Sequence, residues 1–164
     1  MKCIQICQMN DAKKWLVLGA DDGLAPAAVR YLLEKHQQVI SVKSYAGLTN
    51  LSNIIGDYNE HSHVDYIINN LNYRLLNDNA KNVASAVKTT TTILKGLVPI
   101  LTKNPGGLII NLPPQLCLST LTDPTSEAYL LKQMNLFLTC LKLELDKLDC
   151  AVRFIEPGER FLQF

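Results

Sequence analysis

The sequence carries almost no surplus of charge. Sixteen Lys and Arg stand against 15 Asp and Glu in 164 residues, a formal net charge of +1. No electrostatic case exists for nucleic acid or an anionic membrane surface as a partner. Long apolar runs are also missing: the uninterrupted ones fall far short of the roughly 20 residues that cross a bilayer. The N-terminus lacks the basic-then-apolar layout of a signal peptide. The cytoplasm is therefore the expected location. Metal-ligand spacing is absent as well. Cys3 and Cys7 lie four apart, but His61 and His63 fall in a different polar segment, and a zinc site needs more ligands than two. The five cysteines are odd in number, and Cys117, Cys140 and Cys150 sit in or beside apolar segments, as small core residues do. No metal is expected, and no internal repeat or low-complexity segment breaks the chain.

What is present suits one soluble globular domain covering residues 1–164, with 48% hydrophobic and 19% charged residues. That length supports one α/β core and is too short for two. Residues 1–14 form a leader or an extra strand, with 2–9 strand-like and Asn10-Asp11 a turn. Trp15–Leu18 is apolar throughout, as in a parallel strand covered on both faces. A glycine turn follows, then a helix from Pro26 to about His36 with Ala28, Tyr31, Leu32 and marginally Ala27 on one face. Asp22 is placed to cap that helix. Val39–Val42 reads as the next strand. Lys43 to His63 is polar and weakly periodic, with one amphipathic piece at Leu48–Ile55. Val64–Ile68 is a strand that runs into Asn69 and Asn70.

A helix over Lys81–Leu101 carries a stripe of Val83, Val87, Leu94, Leu97 and Leu101. After the turn Pro105-Gly106-Gly107 comes a buried strand, Leu108–Leu112. The most strongly patterned helix is Ser126–Leu148, where Leu131, Met134, Leu138, Leu141, Leu145 and Leu148 alternate at spacings of three and four. Leu130, Phe137 and Leu143, with Leu136 nearby, form a second stripe. Ala151–Ile155 is the last strand. Strands alternating with helices predict a three-layer α/β/α sandwich on a mostly parallel, Rossmann-like sheet. Trp15–Leu18, Val64–Ile68 and Leu108–Leu112 should be central, with the reversal of strand order beside Gly19–Gly23.

Four segments in order resemble the short-chain dehydrogenase/reductase family. Gly19-Ala20-Asp21-Asp22-Gly23-Leu24-Ala25 resembles its TGxxxGxG turn, with Ala25 for the last glycine. Asp65-Tyr66-Ile67-Ile68-Asn69-Asn70-Leu71-Asn72 resembles its DxxxNNAG strand. Gly107–Leu112 resembles the strand leading to its catalytic serine, and Arg153-Phe154-Ile155-Glu156-Pro157-Gly158 the PG segment beside the nicotinamide. The resemblance implies NAD(P) contacts at Gly19, Asp21, Asp22, Gly23, Leu24, Lys43, Asn70, Pro157 and Gly158. A basic Lys43, followed by Ser44 beyond the second strand, suits a 2′-phosphate, hence NADP rather than NAD. A solvated lysine at a strand end is the commoner reading of Lys43. Asp21 and Asp22 oppose the cofactor, since carboxylates beside a pyrophosphate repel it, while at an empty helix N-terminus they are favourable. Binding of NADP and binding of no cofactor therefore both stay open.

The same register leaves the family's catalytic positions empty. Anchored on Leu143-Glu144-Leu145, Glu127 takes the place of the tyrosine and Leu131 that of its lysine. Pro114 stands at the serine and Val87 at the asparagine. None of the four can supply the acid, the lysine that tunes it or the carbonyl donor. Tyr129 and Lys132 offer a displaced pair, but a shift of two residues turns a side chain by about 200° around a helix. No catalytic residue is assigned. Between Val42 and Val64 one βα unit is too many to fit, and the six residues after Gly158 are too few for the family's substrate loop and last helix. Three readings compete: an inactive binding or regulatory subunit, an NADP(H)-dependent oxidoreductase with a non-standard site, and an unrelated flavodoxin-like or receiver-like domain. The two apolar stripes of the 126–148 helix predict a homodimer through helices 81–101 and 126–148, the contact those helices make in the resembled family.

Overall fold

The computed structural model describes residues 12–43, 63–71, 83–101, 106–113 and 124–155, with the side chains of 124–128, 130 and 131 excepted. Five strands form one sheet: β1 (Lys14–Leu18), β2 (Gln38–Val42), β3 (Tyr66–Asn69), β4 (Leu108–Asn111) and β5 (Ala151–Phe154). The order is β2-β1-β3-β4-β5 and every pairing is parallel. All five expected strands are found, within two residues at each end. A Rossmann sheet of order 3-2-1-4-5-6 stripped of its outermost strand has this order, and so do flavodoxin-like sheets. Residues 44–62, where one βα unit of the resembled family is expected to be missing, lie outside the described residues.

Parallel strands need cover on both faces, and these have it. Trp15, Val17, Ile68 and Ile110 pack with Ala25, Ala28 and Leu32 of helix α1 (Ala25–Glu34). Leu16, Leu18, Ile67 and Ile109 pack on the other face against α2 (Val83–Leu101) and α3 (Pro124–Leu145). The three-layer sandwich is therefore as expected. On α2 the anticipated stripe of Val83, Val87, Leu94, Leu97 and Leu101 is buried in full. Its Thr91 and Thr92 hydroxyls donate back to the Val87 and Lys88 carbonyls, and Pro99 lies inside it. Such a helix has poor intrinsic propensity and depends on its packed face.

Three local expectations need correction. Asp22 does not cap α1; the N-cap is Leu24, with no side-chain cap bond. The turn Asp22 O to Ala25 N–H, 3.2 Å, starts the helix two residues later than a capping Asp22 would require. Second, α1 stops at Glu34, and Ala27 is exposed. His36, at φ +57, reverses the chain while His36 N–H and Gln37 N–H donate to Leu33 O and Leu32 O. That is a Schellman-type ending in which a non-glycine residue occupies the left-handed position.

The third correction concerns α3. Phe137 is fully buried at 0% exposure and shares the core with Leu141 and Leu145. Successive residues turn about 100°, so Phe137 lies about 40° from Leu141 but about 120° from Leu143. Grouping it with Leu143 misjudged the angle. Met134, Leu138 and Leu148 are only half-buried at the edge of that core. The outward apolar line is instead Tyr129, Leu136 and Leu143, exposed by 53, 49 and 61%.

Candidate functional site

The chain leaves β1 at Gly19, where strand order reverses: β2 lies on one side of β1 and β3 on the other. Crevices at such reversals are the ligand sites of open α/β sheets. Gly19 and Gly23 have φ of +69 and +55°. A Cβ on Gly19 would lie 2.9 Å from the Asn70 carbonyl oxygen, so glycine is required there by both conformation and space.

The turn is tightly self-bonded. Gly19 N–H and Ala20 N–H donate to Val42 O at the end of β2, Asp22 N–H to Gly19 O, and Ala25 N–H to Asp22 O. Gly23 N–H donates to the Asp22 carboxylate at 2.9 Å. From β3 the buried Asn70 amide reaches across, donating to Gly19 O at 3.0 Å and to Asp22 O at 2.7 Å. Pro26 brings no N–H to the first helical turn. Leu24 is half-buried, and Asp21 and Lys43 are exposed.

A pyrophosphate at this point needs backbone N–H groups at the helix N-terminus that are free to donate, and positive potential around them. Here the Gly23 amide faces a carboxylate of its own chain, and Asp21 adds a second one nearby. These donors do not suit the group. Of the sequence-based site residues, Gly19, Asp21, Asp22, Gly23, Leu24 and Asn70 come together at the turn. Lys43 follows the last residue of β2, whose Val42 carbonyl holds the turn, and Pro157 and Gly158 lie outside the described residues.

Beside the crevice, Asn69 and Asn111 occupy paired positions on β3 and β4. Asn69 Nδ2 donates to Asn111 Oδ1 at 2.6 Å, Leu71 N–H to Asn69 Oδ1, and Asn111 Nδ2 to Leu112 O. The pair ties the carboxyl ends of the two central strands together. Sequence reasoning did not single it out, although the matching triplets Ile67-Ile68-Asn69 and Ile109-Ile110-Asn111 were a signal.

Val87 is apolar and buried on α2. Tyr129 and Lys132 are exposed on α3, with Tyr129 in line with Leu136 and Leu143. Pro114 and the side chains of Glu127 and Leu131 lie outside the described residues. Among the described residues there is no group of three or more His, Cys, Asp or Glu able to hold a metal, and no helix long and apolar enough to cross a membrane.

A further concavity lies between α2 and α3. It is an open groove of about 600 Å³ lined by Val83, Val87, Thr91, Leu136, Cys140 and Leu143, with Lys88, Lys95 and Glu144 at its edges. A hydrogen bond and the charge of Lys147 hold the Glu144 carboxyl below the usual carboxylate range, and Lys95 adds to this. The groove is apolar at its floor and carries both signs of charge at its rim.

A solved structure described as a short-chain dehydrogenase from Streptomyces avermitilis has a similar fold, with a TM-score of 0.51 and 18% identity. The match covers 88% of this chain and 65% of that one, so this chain spans about two thirds of the dehydrogenase's length. The likeness establishes the fold and nothing finer. No protein-family model matches the sequence, and no curated protein does.

Proposed function

We propose that this chain is a short-chain-dehydrogenase-like subunit that works by binding protein, its first partner being a second copy, and that it transfers no hydride. The observation that carries this reading is the outward line of Tyr129, Leu136 and Leu143 beside an apolar groove. A helix whose inner face is already filled by Phe137, Leu141 and Leu145 has no internal use for that line. A two-fold axis covers such a patch with its own copy. The second half of the reading rests on Val87, Pro114, Glu127 and Leu131. Without a positioned acid or base, a factor of roughly 10²–10⁴ in rate is forfeited.

The alternative, an NADP(H)-dependent oxidoreductase with a displaced site, draws on one observation: Lys43 is exposed directly after β2. That reading needs Tyr129 or Lys132 to reach the crevice from the outward side of α3. Absorbance assays with NADPH and NADH on generic ketones, aldehydes and alcohols separate the two. No turnover is expected. Robust turnover that vanishes in Tyr129→Phe would overturn the proposal in favour of the alternative.

A further inference from the structure

We infer that Asp22 is the residue that keeps dinucleotides out of the switch-point crevice, by acting as a resident anion where the pyrophosphate would sit. This inference rests on reading the Gly19–Gly23 turn as a dinucleotide-type turn, and it concerns that turn rather than the α2/α3 surface.

Three features of the turn carry it. First, the Gly23 amide is the donor just ahead of the N-cap of α1, and it already donates to Asp22 Oδ1 at 2.9 Å. A carboxylate placed there gains from the positive end of the helix as an incoming phosphate would. Second, the turn is tied down from both neighbouring strands. Asn70 holds Gly19 O and Asp22 O from β3, and Val42 O holds Gly19 and Ala20 from β2. Its backbone also lies close against Asn70, since a Cβ on Gly19 would come within 2.9 Å of the Asn70 carbonyl oxygen. Third, α1 has no acidic residue in its first turn and no side-chain cap, so the carboxylate bonded nearest its N-terminus is that of Asp22. A bound pyrophosphate would have to displace the Asp22 carboxylate from Gly23 and then remain next to it.

Like charges in contact weaken binding roughly fivefold in water, and far more where solvent is excluded. Removing this one charge should therefore raise affinity at least about fivefold. The test is a fluorescence titration of the full chain with NADPH as probe, comparing wild type, Asp22→Ser and Asp22→Asn. Asparagine keeps the shape and the acceptor while dropping the charge. Serine also shortens the side chain and clears space over Gly23. Wild type is expected to show no saturation into the millimolar range, with Asp22→Ser saturating at least about fivefold lower and Asp22→Asn in between. Thermal melts of the same samples confirm that the variants are folded, and the isosteric Asn variant guards against a serine change that loosens the turn. Micromolar binding by wild type, or no gain in either folded variant, would overturn the inference. The subunit reading stands or falls separately, on the oligomeric state and on turnover.

Discussion

Replacing Asn70 by alanine asks whether one side chain holds the glycine turn in place. Asn70 is 5% exposed, and its amide donates to Asp22 O and Gly19 O at 2.7 and 3.0 Å. Neither carbonyl is orphaned by the change. Asp22 O keeps the Ala25 N–H and Gly19 O keeps the Asp22 N–H, at 3.2 and 3.4 Å. The loss is two net hydrogen bonds at about 1 kcal/mol each, not two full desolvation penalties. The vacated space adds a fraction of the about 24 cal/mol per Å³ that unrelaxed cavities cost. Asn70→Ala should thus destabilise by about 2–3 kcal/mol, lowering Tm by roughly 5–10 °C in a domain of this size. Asn70→Asp keeps the shape but sets a carboxyl group against two carbonyl oxygens, and it should cost more, about 3–5 kcal/mol. Urea unfolding followed by circular dichroism gives both values, provided the slope is unchanged. An alanine variant within 0.5 kcal/mol of wild type on that approximate scale, or an aspartate variant milder than alanine, would refute the clamp.

Other outcomes follow from single positions. His36 sits at φ +57 in the C-terminal turn of α1, so His36→Gly should stabilise by about 0.5–1 kcal/mol in thermal melts; a loss of stability would mean the imidazole has a partner that matters more. The Thr90 hydroxyl is fully buried and has no hydrogen-bond partner among the described residues. Thr90→Val should accordingly raise stability by about 1 kcal/mol, and a loss of that size would reveal a bound water. Burial and the neighbouring Asp149 push the Cys150 thiol above its ordinary value of 9.0. The neutral thiol is favoured in the folded state, so Cys150 contributes nothing adverse below that value and costs stability as pH rises past it. Peptide-resolved alkylation against pH should place its midpoint above 9.0; a midpoint at or below it would contradict the burial.

The sheet was legible because parallel strands need apolar cover on both faces. Trp15–Leu18 is a continuous apolar run ending at Gly19 and Leu108–Ile110 is one beginning after Gly107, and such runs have few alternatives. The reversal of strand order beside Gly19 followed from the glycine turn for the same reason. Side-chain direction was harder. On α3 the apolar residues cover a wide arc; the 100° step already sets Phe137 near Leu141 and away from Leu143, but spacing does not say which of these faces meets the sheet. Only packing against the sheet chose. At the turn, the paired aspartates signalled trouble for a phosphate. The two bonds from Asn70 depend on contacts between residues about 50 apart in sequence, which no local pattern encodes.

Sedimentation velocity at micromolar concentration tests the central claim most directly, run on wild type and on Leu143→Lys. Leu143 is 61% exposed, so a lysine there should change the stability of one protomer by no more than about 0.5 kcal/mol. Phe137→Glu would be a poor probe, since it places a charge in the core and unfolds the chain. The account predicts a wild-type dimer and a Leu143→Lys monomer with the same circular dichroism spectrum and Tm expected of a folded protomer. A wild-type monomer, or a Leu143→Lys variant that remains a dimer, would contradict it.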